Sequence, residues 1–592
     1  MALPSFDNYF NCSDLFEDVA ARYPLNVAVR IADKIWTYKE LQQISDAIAA
    51  SLSHYSPADI PIVGIFINRS IYSIASMIAC WKAELPYLML DTEVSVQLNE
   101  KWIERLGIKL LLCEQNTCKG LNLEGITTLC VNQLYDEQLV TYPVRTTRSS
   151  IASLVSTSGT TGNPKLVQIS HANILNYTQA FLARVGYRNK SFGSFTSLAS
   201  DLGNTAVFSA LFTGATLVLV EKNMVLEHDE LASFLSKYPI DLIKCTPSII
   251  AMIHQSGVLK DCLPKKQLVL GGEVLDETLL KFILAQSSTL QVFNHYGPTE
   301  STVGVICGEV SHLNIGTNLL SMGKPLNGVK LKLLDKALHV TDFEGQLAIA
   351  GKTLSLGYFR NALASKERFI EFEGERYYLT GDIVSVDENG YYYFKGRIDN
   401  QVKVRGYRVD LEIVQHAISQ HPLVNQVYVG ITQNDVHGQN ELVAFYSGSA
   451  SQNQLIDALV QDFPQSHVPS MFIACDTFPL TENGKVDTKA LLSSLSSRSS
   501  VGKEVASSTY QFVELVWCTV LQQMHIRPDD KFKDLGGDSF KALIVFSKLK
   551  KRFPTLTIAK LFVYPTISSL SAYLDSLSDD SSKTSSEQVL SL

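Results

Sequence analysis

The pattern of apolar and polar positions divides the chain into segments of different kinds. From the N-terminus to about residue 395, short apolar runs alternate with longer stretches of helical periodicity. The clearest runs are IPIVGIF at 60–66, KLLLC at 109–113, ATLVLV at 215–220 and QLVLGG at 267–272. Strands that alternate with helices favour a largely parallel α/β sheet covered on both faces. We therefore predict a large α/β region in this part of the chain.

The remaining third of the chain has a different pattern. GRIDNQVKVRGYRVD at 396–410 predicts a charged strand–turn–strand unit, and a smaller α/β segment follows it to about residue 495. The serine-rich stretch 493–508 is nearly free of apolar residues, which is typical of a flexible linker. Residues 509–577 have helical periodicity, and the segment after them is polar. The layout predicted is a large domain, a small domain, a linker, a helical module and a tail.

Composition limits the classes of function. The 592 residues are 46% hydrophobic and 19% charged, which is typical of several globular domains. The net charge of -8 and the pI of about 5.9 argue against nucleic acid or anionic membrane as a partner. The ten cysteines form no CxxC pair, and Cys113 and Cys118 are expected to be ordinary thiols. With no leader-like N-terminus, we expect a cytoplasmic protein.

A loop rich in glycine and hydroxyl groups is the first candidate for chemistry. In STSGTTGNPK at 156–165, glycines allow backbone N–H groups to approach an anion, hydroxyls add donors, and Lys165 adds charge. It is not a Walker A loop, because Pro164 stands where that pattern needs glycine. A plain surface loop is the alternative, but ten consecutive residues of this pattern directly after an apolar run favour a phosphate-binding loop. The predicted nucleotide contacts are Ser158, Gly159, Thr160, Thr161, Gly162 and Lys165.

Six further motifs accompany the loop. They are WTYKEL at 36–41, NHYGPTE at 294–300, GYF at 357–359, YLTGD at 378–382, GRIDNQVKVRGYRVD at 396–410 and PLTENGKVD at 479–487. In this order and spacing they resemble the adenylation domains of nonribosomal peptide synthetases, which belong to the adenylate-forming (acyl-CoA synthetase) superfamily. The resemblance spans roughly residues 10–577, and the combination of motifs is very specific.

The resemblance implies a fold and a domain order. A large α/β N-terminal subdomain of the adenylation domain is expected at 1–398, and a small, mobile α/β C-terminal subdomain at 399–493. A linker at 494–508, an all-α four-helix carrier domain at 509–577 and a polar tail at 578–592 complete the expected order.

The resemblance also assigns roles in ATP chemistry. Attack of a carboxylate on the α-phosphate of ATP requires mainly positioning and charge neutralisation. Lys485 is expected to bridge the substrate carboxylate and the α-phosphate, and Glu300 to help hold Mg²⁺. The other expected contacts are Tyr296 on adenine, Asp382 and Arg397 at the ribose, and the neighbouring Gly297 and Thr299. Taken alone, Lys485 and Asp382 are equally well explained as turn residues.

Two positions are implied in a change of conformation. Asp399 lies where the small domain of the family pivots, and Lys403 falls in the motif used when the thioester forms. One site must first exclude water and later admit a tethered thiol, and a hinge between two domains meets both needs.

The segment DKFKDLGGDSFKALIVFSKLK at 530–550 resembles the phosphopantetheine attachment site of carrier domains. Ser539 is expected to bear the 4'-phosphopantetheine arm, and its alternative role as a helix N-cap is compatible with attachment. A phosphopantetheinyl transferase is therefore an implied partner. The sequence holds no HHxxxD condensation motif and no GxSxG elbow, so a condensation or tailoring enzyme is expected to act in trans. A small MbtH-type activator protein is a further partner that the family allows.

The resemblance finally points to a substrate pocket. Asp201 lies where amino-acid-activating members place the counter-charge for the α-ammonium group, with a helix N-cap as its alternative role. The other implied pocket positions are Leu202, Thr205, Lys244, Val269, Gly271, His295, Val303 and Gly304, with Lys485 closing the set. Lys244 and His295 suggest a second carboxylate, and the set resembles that of aspartate-activating domains. Their alternatives are a lysine that reaches solvent and a satisfied core histidine.

The expected function is ATP-dependent activation of an amino acid, with L-aspartate favoured over glutamate or asparagine, and its transfer to the carrier arm. A ligase acting on an acid without an amino group is disfavoured, because a buried Asp201 without a cationic partner is costly. A scaffold with an inactive adenylation domain predicts loss of Lys485, Glu300 or Asp382, and all three are present.

Overall fold

The computed structural model describes most of the chain. The described residues are 5–55, 61–92, 94, 96–117, 125–136, 150–157, 165–311, 320–399, 401–404, 407–433, 440–475, 477–479, 486–496, 508–521, 526–532, 535, 539–550, 552–553 and 556–576. They form two compact units, Met1–Arg408 and Val409–Leu592. The domain boundaries given by the resemblance stay predictions.

The helices of the first unit lie between the strands, as the alternating pattern predicts. In chain order they are α1 (Cys12–Arg22), α2 (Tyr38–Leu52), α3 (Ile71–Lys82), α4 (Val96–Leu106), α5 (His171–Val185), α6 (Asn204–Leu211), α7 (Lys222–Leu226), α8 (His228–Lys237), α9 (Pro247–Gln255), α10 (Leu259–Cys262), α11 (Glu277–Gln286) and α12 (Ala362–Arg368). Short 3₁₀ helices are found at Phe6–Asn8, Val131–Asp136, Asp201–Gly203 and Thr299–Ser301. The WTYKEL motif starts α2, because Thr37 and Glu40 form a capping box there.

The strands of the first unit build two main sheets. In chain order the strands are β1 (Val27–Ile31), β2 (Lys34–Thr37), β3 (Val63–Phe66), β4 (Tyr87–Met89), β5 (Leu110–Cys113), β6 (Thr127–Cys130), β7 (Ile151–Thr157), β8 (Lys165–Ser170), β9 (Ser191–Ser194), β10 (Thr216–Leu219), β11 (Leu242–Cys245), β12 (Gln267–Gly271), β13 (Gln291–Tyr296), β14 (Ile306–Val310), β15 (Ser321–Pro325), β16 (Val329–Leu334), β17 (Val340–Thr341), β18 (Glu344–Gly351), β19 (Phe369–Phe372), β20 (Glu375–Val386) and β21 (Tyr392–Arg397). The predicted runs correspond to β3, β5, β10 and β12, so those four predictions are confirmed.

The smaller sheet has six strands in the order β6-β5-β3-β4-β7-β8, parallel except for the β7–β8 pair. The larger sheet runs β17-β16-β18-β20-β21-β15-β14-β13-β12-β11-β9-β10-β1-β2, with β19 paired to β20. Its strands from β10 to β13 are parallel, whereas those from β13 to β21 pair antiparallel. The prediction of a largely parallel sheet is therefore wrong for the β14–β21 region, where α12 is the one helix between strands among the described residues.

The helices cover the sheets with a continuous apolar core. Large buried side chains at its centre include Trp81 of α3, Tyr38 of α2 and Phe208 of α6. The segment from Asn204 to Val220 is α6, a turn at Gly214 with φ of 74°, and β10. Gly214 suits that turn because a positive φ is strained for other residues. This core fixes the ends of the central strands, where the site residues lie.

A two-stranded sheet of β22 (Gln401–Val404) and β23 (Tyr407–Asp410) contains the predicted strand–turn–strand unit. The second unit then contains α13 (Leu411–Ser419), α14 (Gln452–Val460), α15 (Thr488–Ser496) and a sheet in the order β24 (Val424–Gln433), β25 (Asn440–Gly448), β26 (Met471–Ala474). Helix α15 extends into the stretch expected to be linker. Residues 497–507 lie outside the described part.

The C-terminal part of the second unit is helical. Its helices are α16 (Thr509–Leu521), α17 (Ser539–Lys550), α18 (Ile558–Val563) and a fourth at 567–576. Trp517 of α16 packs on Phe532 with ring centroids 4.8 Å apart. The expected all-α carrier fold is therefore confirmed.

Three features of the described residues concern membrane spanning, metal binding and disulfide bonding. Among the described helices, none is long and apolar enough to cross a membrane. No group of three or more metal-binding side chains is present within the described ranges. Cys113 is disulfide-bonded, which corrects the expectation that it is an ordinary thiol, and its partner lies outside the described residues.

Candidate functional site

Some predicted site residues lie outside the described part of the chain. These are Ser158, Gly159, Thr160, Thr161, Gly162 and Lys485. Lys165, which follows the loop, is the first residue of β8, and its Nζ lies 5.4 Å from the centroid of the Tyr358 ring. Burial and the nearby Arg368 lower the pKa of Lys165.

Three neighbouring parallel strands bring the predicted pocket residues together. In the sheet, β12 lies between β11 and β13, with Lys244 of β11 opposite Val269 and Gly271 opposite His295 of β13. Side chains at alternate positions of a strand share a face. Lys244 and His295 therefore reach toward each other across the β12 backbone, at the carboxyl ends of the strands, where open α/β sheets bind ligands.

Lys244 and His295 form a buried polar pair. The Nζ of Lys244 donates to Nδ1 of His295 at 3.0 Å, and the two residues are 0% and 3% exposed. Burial lowers the pKa of Lys244 to about 8, and burial together with Lys244 holds the pKa of His295 well below 6.5. His295 is therefore a neutral imidazole that accepts at Nδ1 and carries its proton on Nε2. No described residue accepts from that Nε2.

The geometry of this pair excludes the two alternative roles, a lysine that reaches solvent and a satisfied core histidine. A fully buried Lys244 does not reach solvent, and a His295 with an unmatched Nε2 is not a satisfied core histidine. Within the described ranges, no carboxylate lies at ion-pair distance from Lys244. An ammonium group buried without a carboxylate is costly, so such a pair calls for a ligand or another explanation.

Two glycines make room for the pair. A Cβ at Gly271 would lie 2.5 Å from the Lys244 Nζ and closer still to the backbone oxygen of His295. A Cβ at Gly304 would overlap the imidazole, with Cδ2 of His295 2.9 Å away and Nε2 nearer than that. Real Cβ atoms do not approach so closely, so these positions need glycine for space.

Asp201 lies at the other end of this group of residues. It begins the 3₁₀ helix Asp201–Gly203, but the N-cap is Ser200, so the alternative of Asp201 as a cap is excluded. Burial raises the pKa of Asp201, and a hydrogen bond from the Thr299 side chain opposes that shift. Leu202 follows in the same helix, and the hydroxyl of Thr205 in α6 bonds the Tyr177 hydroxyl at 2.7 Å.

Asp201 also borders a small cavity. The empty space, including its mouth, is about 230 Å³. It is lined by Ser153, Val155, Ile169, Ile174, Asp201, Asn204, Phe208, Thr299, Thr302 and Val303. Among the described residues, Asp201 and Val303 are the predicted pocket positions that line it, and Lys244 and His295 lie outside it. Five of these ten lining residues are apolar.

The loop beside this cavity has a strained backbone. Thr302 and Val303 have φ of 61° and 67°, a left-handed conformation that is unusual for β-branched residues. The hydroxyl of Thr302 donates to the backbone oxygen of Thr353 at 2.7 Å, which helps to hold the turn. Such outliers concentrate at binding sites, where the surrounding structure supports the strain.

The predicted nucleotide contacts form a second group. Asp382 of β20 lies opposite Arg397 of β21, and its carboxylate accepts from Arg397 and from the hydroxyl of Tyr296. Asp382 is thus a strand residue, and the turn alternative is excluded. Burial and Asp382 raise the pKa of Tyr296 well above 10. Gly297 packs against the Gly304 backbone, where a Cβ would clash.

The predicted hinge residue is tied to the same group. Arg397 Nε donates to Asp399 at 2.7 Å, and its Nη2 donates to both Asp399 and Gln401. Burial alone would raise the pKa of Asp399, but these bonds from Arg397 lower it. Lys403 of β22 is half-buried, with its Nζ 5.8 Å from the centroid of the Tyr296 ring. Burial lowers the pKa of Lys403.

Glu300 provides an observation on metal binding. One of its carboxylate oxygens, Oε1, accepts from the Tyr358 hydroxyl at 2.6 Å and lies 3.6 Å from a nitrogen of Arg408. The other, Oε2, is buried with no hydrogen-bond partner among the described residues. A free, buried carboxylate oxygen is the kind of ligand that Mg²⁺ prefers, so the residue present fits the expected ion.

Ser539 is the first residue of α17, a helix of 12 residues. Its backbone N–H is one of the amides that a helix leaves unbonded at its start, where an anionic phosphodiester is favoured. The position therefore fits a phosphopantetheine arm, although the serine side chain is not among the described ones.

Several residues at the site were not predicted from the sequence. Tyr177 and Phe181 of α5 pack on His295, and Arg408 and Tyr378 lie beside Glu300. Tyr378 begins the YLTGD motif and Arg408 belongs to the GYRVD end of a longer motif, so the sequence did contain a signal for these two. Tyr177 and Phe181 carry no such signal, because their contacts arise only when α5 packs on the sheet.

Two family models match parts of the chain. Residues 16–359 match the family model described as AMP-binding enzyme, and residues 511–574 match the model described as phosphopantetheine attachment site. The chain is 30% identical over 582 residues to bacitracin synthase 3 of Bacillus licheniformis and 30% identical over 581 residues to surfactin synthase subunit 2 of Bacillus subtilis (strain 168). These matches cover 96% and 95% of the chain but only 9% and 16% of those proteins.

A solved structure matches nearly the whole chain. It is holo-PA1221, an NRPS protein containing adenylation and PCP domains, bound to a vinylsulfonamide inhibitor. The TM-score is 0.83 at 25% identity, with 96% of this chain and 97% of that one covered.

Proposed function

We propose a reaction for this chain, which belongs to the family of AMP-binding enzymes, because the model of that family matches residues 16–359. With a phosphopantetheine attachment domain at 511–574, it is an adenylate-forming enzyme joined to a carrier domain, and ATP, Mg²⁺ and covalent phosphopantetheine are its cofactors. The proposed reaction is activation of L-aspartate as aspartyl-AMP, followed by transfer to the arm on Ser539.

The observation that carries the choice of aspartate is the Lys244–His295 pair. It offers a buried ammonium group and an imidazole Nε2–H, and no described carboxylate or carbonyl oxygen accepts a hydrogen bond from either donor. A carboxylate of the substrate side chain supplies the missing charge and accepts from both donors. Its arrival raises the pKa of Lys244 and keeps the lysine charged in the dry site.

The same chemistry ranks the related amino acids. Asparagine has the size of aspartate but leaves the Lys244 ammonium without a counter-charge, and breaking a buried pair costs about 3–5 kcal/mol. Glutamate keeps the charge but adds one methylene, which a fitted pocket resists by about 1–3 kcal/mol. We expect both to be activated well behind aspartate.

The chain's own residues divide the remaining tasks. Asp201 binds the α-ammonium group, and burial raises the pKa of its carboxyl group. Asp382 and Arg397 hold the ribose, Tyr296 supports adenine, and the Oε2 of Glu300 holds Mg²⁺, which neutralises phosphate charge. Lys485 binds the reacting carboxylate and the α-phosphate.

Two positions serve the second half-reaction. Asp399, tied to Arg397, is the pivot, and Lys403 supports the conformation that forms the thioester. The arm on Ser539 requires a phosphopantetheinyl transferase, and a downstream condensation or tailoring enzyme consumes the loaded residue. An MbtH-type activator is a further proposed partner.

One observation favours a second substrate class. The cavity beside Asp201 is lined by Val155, Ile169, Ile174 and Phe208, which would suit a small apolar side chain. An apolar amino acid held there would leave Lys244 unpaired, so we rank this candidate second.

Loading of the full chain tests the proposal. The protein is treated with a phosphopantetheinyl transferase and coenzyme A, then with ATP, Mg²⁺ and an equimolar mixture of isotope-coded aspartate, asparagine, glutamate and valine. Intact-protein mass spectrometry reads which label is bound, and Ser539→Ala is the control for attachment. Aspartate should dominate the bound label, whereas valine as the main adduct would support the apolar candidate and refute this one.

A further inference from the structure

Helix α5 presents a pair of aromatic rings to the polar pair. Tyr177 and Phe181 lie one helical turn apart, so they share a face of the helix. The Tyr177 ring stacks on the imidazole of His295 with centroids 6.0 Å apart and an interplanar angle of 26°. The Phe181 ring tilts against the same imidazole at 5.3 Å. Both distances are within the range of favourable aromatic contacts.

The Tyr177 ring is itself fixed at its far end. Its hydroxyl and that of Thr205 are 2.7 Å apart, and both residues are fully buried. The hydrogen bond ties α5 to the first turn of α6, directly after the 3₁₀ helix that carries Asp201. The ring has little room to slide or rotate, because this bond and the Phe181 ring, 6.1 Å away, restrict it.

The orientation of His295 decides what it offers a ligand. With Nδ1 toward Lys244, the imidazole turns Nε2 toward Gly304, in the turn that lines the cavity through Val303. A ring flip would place Cδ2 where Nδ1 lies and Cε1 where Nε2 lies, and so remove the acceptor from Lys244. The hydrogen bond to Lys244 alone does not fix the ring plane, since a rotating ammonium group follows a moving acceptor.

We propose that Tyr177 is a specificity-determining positioning residue, which acts through His295 to keep the Lys244–His295 pair in the orientation that receives a side-chain carboxylate. Tyr177 need not touch the substrate. Its stacked ring fixes the plane of the imidazole, and its bond to Thr205 fixes the ring. The inference rests on the proposed use of Lys244 and His295, and it adds a residue outside the predicted pocket set.

Two tyrosine variants of the full chain test this role. Tyr177→Phe keeps the ring and removes its anchor, whereas Tyr177→Leu removes the ring as well. The matched control is Tyr38→Phe, which removes a hydroxyl from another fully buried tyrosine that bonds Ala210 and Ala215 backbone oxygens. The readout is the ratio of kcat/KM for aspartate over asparagine in ATP–pyrophosphate exchange, because a merely structural loss lowers both values together.

We expect the ratio to fall about threefold in Tyr177→Phe and about tenfold in Tyr177→Leu, as residues in contact within one network commonly couple at this level. Tyr38→Phe should leave it unchanged. Combining Tyr177→Leu with His295→Gln should lower the ratio no further than His295→Gln alone, since the tyrosine acts through the histidine. Should Tyr177→Leu fail to fold, the Tyr177→Phe and Tyr38→Phe pair still decides.

The wild-type ratio separates this inference from its premise. A wild type that does not prefer aspartate contradicts the proposed function. A wild type that prefers aspartate, together with unchanged ratios in both Tyr177 variants or additive losses in the double variant, overturns the role of Tyr177 alone.

Discussion

Replacing Lys244 with methionine should separate stability from activity. Methionine keeps the length of the lysine stem and removes the charge. A pKa lowered by burial from 10.5 to about 8 means that the charged lysine costs the folded state about 3 kcal/mol at neutral pH. The variant gains that amount, but it also leaves His295 Nδ1 without its donor, which costs about 1–3 kcal/mol. The free energy of unfolding should therefore stay equal or rise by up to about 2 kcal/mol.

Activity should move in the opposite direction. In Lys244→Met the substrate carboxylate enters a dry pocket without its ammonium partner, a loss of about 3–5 kcal/mol. At about 1.4 kcal/mol per tenfold, kcat/KM for aspartate should fall at least 10²-fold. Asparagine needs no counter-charge, so its kcat/KM should change less than about tenfold. The preference between the two should largely disappear.

The assays are ATP–pyrophosphate exchange with each amino acid and urea unfolding of the same preparations. Lys237→Met is the matched control, because Lys237 forms an exposed surface ion pair with Asp33 at 2.9 Å. Surface pairs are worth about 0–1 kcal/mol, so this variant should change neither reading much. A Lys244→Met protein that is destabilised by several kcal/mol, with parallel losses for aspartate and asparagine, would show that Lys244 serves the fold and not the substrate.

Five further outcomes follow from the site. Gly304→Ala must displace the His295 imidazole, so overpacking of about 1–3 kcal/mol should lower kcat/KM for aspartate about 10- to 100-fold in exchange assays. Only protonated Lys244 attracts a carboxylate, so kcat/KM for aspartate should fall above about pH 8 while the value for asparagine stays flatter. Burial lowers the pKa of Lys244 in the folded state, so the charged lysine destabilises the fold fully below about pH 8. This destabilisation disappears as the pH rises toward 10.5, and urea unfolding at a series of pH values measures the change. Ser539→Ala should keep pyrophosphate exchange and lose all loading in mass spectra. Glu300→Gln should raise the Mg²⁺ concentration needed for half-maximal exchange and weaken Mg²⁺-dependent nucleotide binding in calorimetry.

Local sequence signals predicted the elements well where one segment determines its own structure. The run 267–272 is apolar after Gln267, and β12 is buried along its whole length. Thr37 and Glu40 carry their own capping interaction within four residues. By contrast, the antiparallel strands between Ile306 and Arg397 were assigned to a parallel sheet, because strand direction depends on how the connections fold and not on the composition of a strand.

Only part of the site could be predicted from the sequence, because its geometry depends on how distant segments pack. Motif residues such as Asp382 and Arg397 face each other across paired strands, and family resemblance named both. The sequence did not determine what surrounds Lys244 and His295. Their burial, and the lack of a described acceptor for the His295 Nε2, depend on how distant segments pack together. Tyr177 could not be found at all, because its ring reaches His295 only through the packing of α5 on β13.

The most direct test of the account is ATP–pyrophosphate exchange by the full-length chain with each of the twenty proteinogenic amino acids at equal, subsaturating concentration. We expect the highest rate with aspartate, a rate about 10- to 200-fold lower with glutamate, which adds one methylene, and a rate at least about 10²-fold lower with asparagine, which lacks the charge. Apolar and aromatic amino acids should give no exchange above background. A highest rate with an apolar or aromatic amino acid would contradict the assignment of Lys244 and His295 to the substrate.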